Sequence, residues 1–193
     1  MAAGDSVVSI CNIALIALGE LPITSVFPPD NTKRAILCAQ RYDDTRRFVL
    51  RTGLWSCAKQ QAVLAAAPAG PLFTYGFAYQ LPADFNRMID LPENDHAQWE
   101  VFGAMLLTDE GPPLDVVYGR DLQDPALFDP GLVHSIAYSL AAELGMPITN
   151  SATKVQQALK TLEGKLDAGR LADSQQNSPK EWDVDVLLRS RFP

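Results

Sequence analysis

Tyr79-Gln80-Leu81-Pro82-Ala83-Asp84-Phe85-Asn86-Arg87 is the stretch on which the reading of this chain turns. Pro82 fixes its own φ and moves Leu81 out of the α region, so the tract reads as an extended lead-in followed by a turn. Helical periodicity precedes it, and short apolar runs at strand spacing follow it. The fold class is therefore α+β, with the tract as the hinge between two kinds of structure.

Upstream, Asp5 or Ser6 caps a first helix whose apolar residues Val7, Val8, Cys11, Ala14, Leu15 and Leu18 form one stripe. Gly19 stands at its stop, and Pro22 prevents resumption. After Pro28-Pro29, Asp30 or Asn31 caps a second helix with Ala35, Cys38, Ala39, Tyr42, Val49 and Leu50 inward, ending near Gly53. Its other face carries Lys33, Arg34, Arg41, Arg46, Arg47 and Arg51, offset by Asp43 and Asp44. Trp55 to Ala67 reads as a strand or an extended arm.

Downstream, Arg87 to Leu91, Trp99 to Phe102, Met105 to Leu107 and Leu114 to Tyr118 are short apolar runs. Turn residues punctuate them at hairpin spacing, which predicts a small inserted antiparallel sheet with acidic loops. Asp124-Pro125 starts a third helix with Leu132, Val133, Ile136, Ala137, Leu140, Ala141 and Leu144 inward, closed by Gly145 and Pro147. A fourth follows with Val155, Ala158, Leu159, Leu162 and Leu166 inward. The predicted organisation is a four-helix bundle-like domain from residues 1–59 and 123–172, a β lobe over 60–122, and an extended C-terminal docking tail over 173–193.

The 193 residues are 47% hydrophobic and 20% charged, ordinary for a globular chain. A net charge of -7 argues against general affinity for nucleic acid or anionic membrane. Cys11, Cys38 and Cys57 are widely spaced and lie on hydrophobic patterns, which reads as reduced thiols in an intracellular protein. With no basic leader and no apolar run near the ~20 residues of a membrane span, the expectation is a soluble protein made in the cytoplasm.

No cofactor or metal motif emerges. His96 lies in an acidic loop and His134 in a helical pattern, without further ligands at metal spacing. No phosphate loop, nucleophile elbow or paired-Cys motif occurs. Acidic pairs such as Asp109/Glu110 or Asp84/Asp90 keep a second reading open, glycoside hydrolysis by paired carboxylates. The stronger features are non-catalytic. A basic helix face and an acidic sheet suit heterologous packing of neighbouring subunits. Behind a polar linker, Trp182, Val184, Val186 and Leu188 alternate with period two, as a strand added to a partner's edge would.

Ala14-Leu15-Ile16-Ala17-Leu18-Gly19-Glu20, Leu54-Trp55-Ser56-Cys57-Ala58, the tract around Leu81-Pro82-Ala83-Asp84-Phe85, Val116-Val117-Tyr118 and Asp124-Pro125-Ala126-Leu127-Phe128-Asp129 occur in an order that resembles the tail tubular protein A family. These are head-to-tail adaptors of short-tailed bacteriophages, and the resemblance spans roughly Asp5 to Ala172. It implies a structural virion protein rather than an enzyme. Such a subunit forms a homo-oligomeric ring, typically a dodecamer, between the portal protein and the tail nozzle or tail tube. Genome DNA passes through without specific binding, and no membrane is involved. The expected location is the virion tail, assembled in the host cytoplasm. The segment after Ala172 departs from the resemblance, and from its own pattern Trp182, Val184, Val186, Leu187, Leu188 and Phe192 are expected to anchor the portal. Arg41, Arg46, Arg47 and Arg51 serve the ring interface, and Asp109, Glu110 and Asp115 line the channel.

Overall fold

The computed structural model describes residues 6–68, 70, 74–92 and 97–174. The fold is α+β, with four α-helices and two three-stranded antiparallel sheets among the described residues.

Helix α1 (Val7–Ala17) starts at Ser6, whose hydroxyl accepts from the Ser9 amide while the Ser9 hydroxyl accepts from the Ser6 amide. This reciprocal capping box satisfies two donors that a helix start leaves orphaned. Gly19, at φ +70°, turns the chain out beyond its end in a conformation glycine adopts freely. Helix α2 (Lys33–Thr52) is capped by Thr32 and not, as the sequence suggested, by Asp30 or Asn31. Asp30 instead braces the cap, accepting from the Thr32 hydroxyl and from the Thr24 amide at 2.8 Å.

After α2, Trp55 folds back so that its indole N–H donates to the Val49 carbonyl at 3.0 Å. The third helix starts later than expected. Asp124 caps only a short 3-10 turn, Pro125–Leu127, and Asp129 caps α3 (Pro130–Thr149). Nor does Pro147 stop α3; the helix runs through it to Asn150, which takes the left-handed conformation. Proline removes one helical amide, a loss that is tolerable in a last turn where few bonds remain downstream. The Thr149 hydroxyl donates to the Gly145 carbonyl there at 2.6 Å.

Helix α4 (Ala152–Ser174) runs antiparallel to α3, with Gly145 against Val155 near one end and Gly131 against Gly169 near the other. Leu159, expected inward, is exposed, whereas Ala158 beside it is buried. Helix α3 is the hub of the helical part and packs against α1, α2 and α4. Its buried residues Leu132, Ile136, Leu140 and Leu144 meet Ile10, Leu15, Tyr42 and Leu50 in one apolar core.

The β part differs from the single sheet expected. Strands β1 (Lys59–Leu64), β6 (Leu114–Arg120) and β3 (Phe85–Asp90) form one sheet in the order β1-β6-β3. Strands β2 (Phe77–Gln80), β5 (Met105–Thr108) and β4 (Trp99–Phe102) form the other, in the order β2-β5-β4. A second apolar core, with Tyr79, Leu106, Val116 and Tyr118, lies between them. The Leu81-Pro82-Ala83-Asp84 tract carries the chain from β2 in one sheet to β3 in the other and, contrary to the sequence reading, does not divide helical from β structure, because β1 and β2 precede it. It is pinned on both sides: the Leu81 amide donates to the Ala104 carbonyl, and Tyr118 donates to the Asp84 carboxylate, each at 3.0 Å.

Candidate functional site

The C-terminal half of α2 is where the helical and β parts meet. The last carbonyls of a helix lack internal partners and carry its negative dipole end, so a cation is favoured there. Arg87 from β3 supplies it, donating to the Arg51 carbonyl at 3.0 Å and to that of Gly53 at 3.4 Å. Asn86 donates to the Arg47 carbonyl at 3.4 Å. Asp121, just beyond β6, takes Arg46 on one carboxylate oxygen and Arg47, at 3.4 Å, on the other.

Arg46 is the main correction to the basic face read from sequence. It is only 2% exposed, paired with Asp121 and donating to the Leu122 carbonyl at 2.7 Å. A guanidinium this deep is consumed inside its own subunit and is not offered to a neighbour. The sequence held the signal. Arg46 follows Tyr42 by four residues and precedes Val49 and Leu50 by three and four, which is the buried stripe itself. Asp121, its partner, carries no local pattern of its own.

The remaining arginines stay on the surface. Arg41 pairs with Glu143 of α3 at 2.8 Å, Arg47 reaches Asp121, and the Arg51 side chain has no ion pair among the described residues. Phe48, which helical periodicity does not single out, projects between them and is 60% exposed. Residues 41, 44, 48 and 51 share one helical face by their spacing of three and four. The outcome is an exposed aromatic with Asp44 one turn before it and Arg51 one turn after it, and exposed aromatics of this kind anchor protein interfaces.

The expected channel residues fall in one region of the β part. Asp109 is exposed and accepts from the Gly76 amide at 2.8 Å. The Glu110 carbonyl accepts the buried Tyr79 hydroxyl at 2.6 Å. Burial, and then the Glu110 charge, push the Tyr79 phenol up. Asp115 lies on β6 opposite Val63 and is half-buried. Trp182, Val184, Val186, Leu187, Leu188 and Phe192 lie outside the described residues, as does His96. His134 sits in α3 and stacks on Tyr138.

For paired-acid hydrolysis the geometry at Asp84 and Asp90 is unsuitable. Asp84 immediately precedes β3 and Asp90 ends it, which puts them roughly 20 Å apart at ~3.3 Å per residue. That chemistry needs carboxylates about 5–9.5 Å apart. Asp84 is occupied instead by the Tyr118 hydroxyl, and burial, then this bond, push the Tyr118 phenol up to about 12. Among the described residues no group of three His, Cys, Asp or Glu can hold a metal ion, and no helix is long and apolar enough to cross a membrane.

One more surface stands out. All four residues of β4 are exposed, Phe102 by 70%, although three of them are large and apolar. Trp99 and Val101 overlook an open groove of about 360 Å³ whose other lining residues are Arg51, Phe85, Asn86, Arg87 and Met88. No protein-family model matches this chain, and no curated protein matches its sequence.

Proposed function

We propose that this chain is a head-to-tail adaptor subunit of the kind found in short-tailed bacteriophages. It builds a homo-oligomeric ring between a portal protein and the tail nozzle or tail tube. The subunit is a bundle-like helical body bearing a β lobe, with a C-terminal tail that reaches the portal.

The observation that carries this reading is the distribution of charged residues over the subunit, with exposed arginines on α2 and acidic residues on the β part. Phe48 and the exposed Arg41, Arg47 and Arg51 lie on α2, interspersed with Asp43 and Asp44, while Asp109, Glu110 and Asp115 lie on the β part. Two different, complementary faces on one subunit favour head-to-tail contacts, which close into rings when the rotation allows. Arg41, Arg47 and Arg51 serve that contact; Arg46 acts within the subunit. Acidic residues facing a channel repel phosphate and let genome DNA slide, where a basic lining would hold it. The ring is a dodecamer, it is incorporated into the virion tail, and assembly takes place in the host cytoplasm.

The test is the mass of the purified chain alone and with a candidate portal. A monomer that becomes a stoichiometric ring only on the portal is the expected result, since weak lateral contacts need a preformed surface. A chain indifferent to every portal offered would overturn the reading. Removing residues after Ser178 should leave a folded body that no longer co-sediments with portal.

A further inference from the structure

A sheet edge exposes unpaired amides and carbonyls, and natural proteins protect such edges with charge, bulges or a covering segment. Among the described residues, three of the four sheet edges carry such a device. The outer edge of β2 is met by residues 66 and 67: Ala66 bridges Tyr79, and the Ala67 amide donates to the Ala78 carbonyl at 2.7 Å. Strand β1 begins with the polar residues Lys59-Gln60-Gln61, and β3 is interrupted by two register shifts. Strand β4 is the least protected among the described residues, with Glu100 as its one charge. It pairs with β5 on one side only, and Trp99-Glu100-Val101-Phe102 is apolar apart from Glu100.

We propose that the free edge of β4 is the docking site of this chain's own C-terminal segment, Trp182 to Leu188, added as a fourth strand to the sheet. The sequence Trp182-Asp183-Val184-Asp185-Val186-Leu187-Leu188 alternates with the period of a strand. Its even-numbered face is wholly apolar and would cover Trp99, Val101, Phe85 and Met88, the apolar part of the groove beside β4, whose remaining lining is Arg51, Asn86 and Arg87. The acidic side chains then point to the opposite face and to water. At about 360 Å³ and open-sided, the groove is at the low end of small-molecule pockets (roughly 300–1,000 Å³) and suits inserted side chains better than an enclosed ligand.

The chain leaves α4 close to this place. Gly169 packs on Trp55, the same indole closes over Gly53, and the Gly53 carbonyl receives Arg87 from the wall of the groove. Residues 175–181 separate the end of α4 from Trp182, and extended they reach up to roughly 25 Å. A short linker of this kind gives an effective concentration of about millimolar, so the chain's own segment outcompetes a second copy at micromolar protein. The proposal concerns the free chain and stands or falls independently of the adaptor reading. If both hold, β4 stores the segment until a portal takes it.

Amide hydrogen exchange of the full chain and of its Val184→Asp/Val186→Asp variant, each at two protein concentrations, tests this. The β4 amides that point away from β5 are expected to exchange about tenfold or more slowly in the parent chain than in the variant, at both concentrations. Protection of α3 amides should be the same in both chains, which controls for folding. Equal exchange of β4 in the two chains would overturn the proposal. So would slowing that grows with protein concentration, because the occupant would then be a second copy.

Discussion

Arg46 in the middle of α2 and Asp121, 75 residues later and just past β6, form an ion pair that ties the helical part to the β part from within. The arginine is closed off from solvent, while the aspartate keeps some exposure and also takes Arg47. Charge so deeply buried is tolerated only when its donors are used, and here the Leu122 carbonyl takes the second bond.

Arg46→Ala strands the Asp121 carboxylate and the Leu122 carbonyl without their main donor. Breaking one partner of a buried pair typically costs about 3–5 kcal/mol, and the partial exposure of Asp121 points to the lower end. Urea unfolding measures it. Arg47→Ala removes only the exposed partner at 3.4 Å and leaves Arg46 on the same carboxylate, so it should cost no more than about 1 kcal/mol.

Two glycines give opposite outcomes on the same substitution. An alanine Cβ at Gly53 would lie 2.4 Å from the Trp55 indole nitrogen, so the ring must move off the Val49 carbonyl it caps. Gly53→Ala should cost about 1–3 kcal/mol by overpacking. At Gly164, exposed in α4, nothing lies within 4 Å of the place an alanine methyl group would take. Gly164→Ala should therefore stabilise by about 0.5–1 kcal/mol through helix propensity. Thermal unfolding of the two variants checks both signs.

Asp30 makes acid stability depend on one loop. The Thr32 hydroxyl, then the Thr24 amide, hold its carboxyl down to about 2. Its stabilising contribution is complete above the unfolded value of roughly 3.9 and fades as pH falls from there through about 2. Asp30→Asn should therefore lower stability at neutral pH and flatten its decline between about pH 4 and pH 2. Denaturant midpoints across that window are the measurement.

Phe48→Asp separates folding from assembly. The ring projects from α2 into solvent, so the isolated chain should keep its stability within about 0.5 kcal/mol. On the proposed ring the same change inserts a carboxylate into the centre of the subunit contact. Sedimentation with portal should show the loss of ring formation while circular dichroism stays unchanged. Normal rings from the variant would remove α2 from the interface.

The sequence by itself determined the helices and the turn of the chain at Leu81-Pro82, because helix stripes, caps and proline geometry are local. Ser6, Gly19 and the apolar residues of α3 act within a few positions of themselves, and their meaning does not depend on what lies across the core. Strand existence was legible in the same way, from runs such as Met105 to Leu107. Which strands share a sheet was not, since pairing joins residues as distant as Gln60 and Tyr118. One local choice was also misread: Thr32 prevails over Asp30 as the α2 cap because Thr24 and Thr32 both claim the Asp30 carboxylate. Tertiary structure alone turned Arg46 from a surface charge into an internal tie, since only the fold brings Asp121 and the Leu122 carbonyl to it. It also left β4 with β5 as its single strand neighbour among the described residues, for an edge is a property of the whole sheet and no single strand's sequence records it.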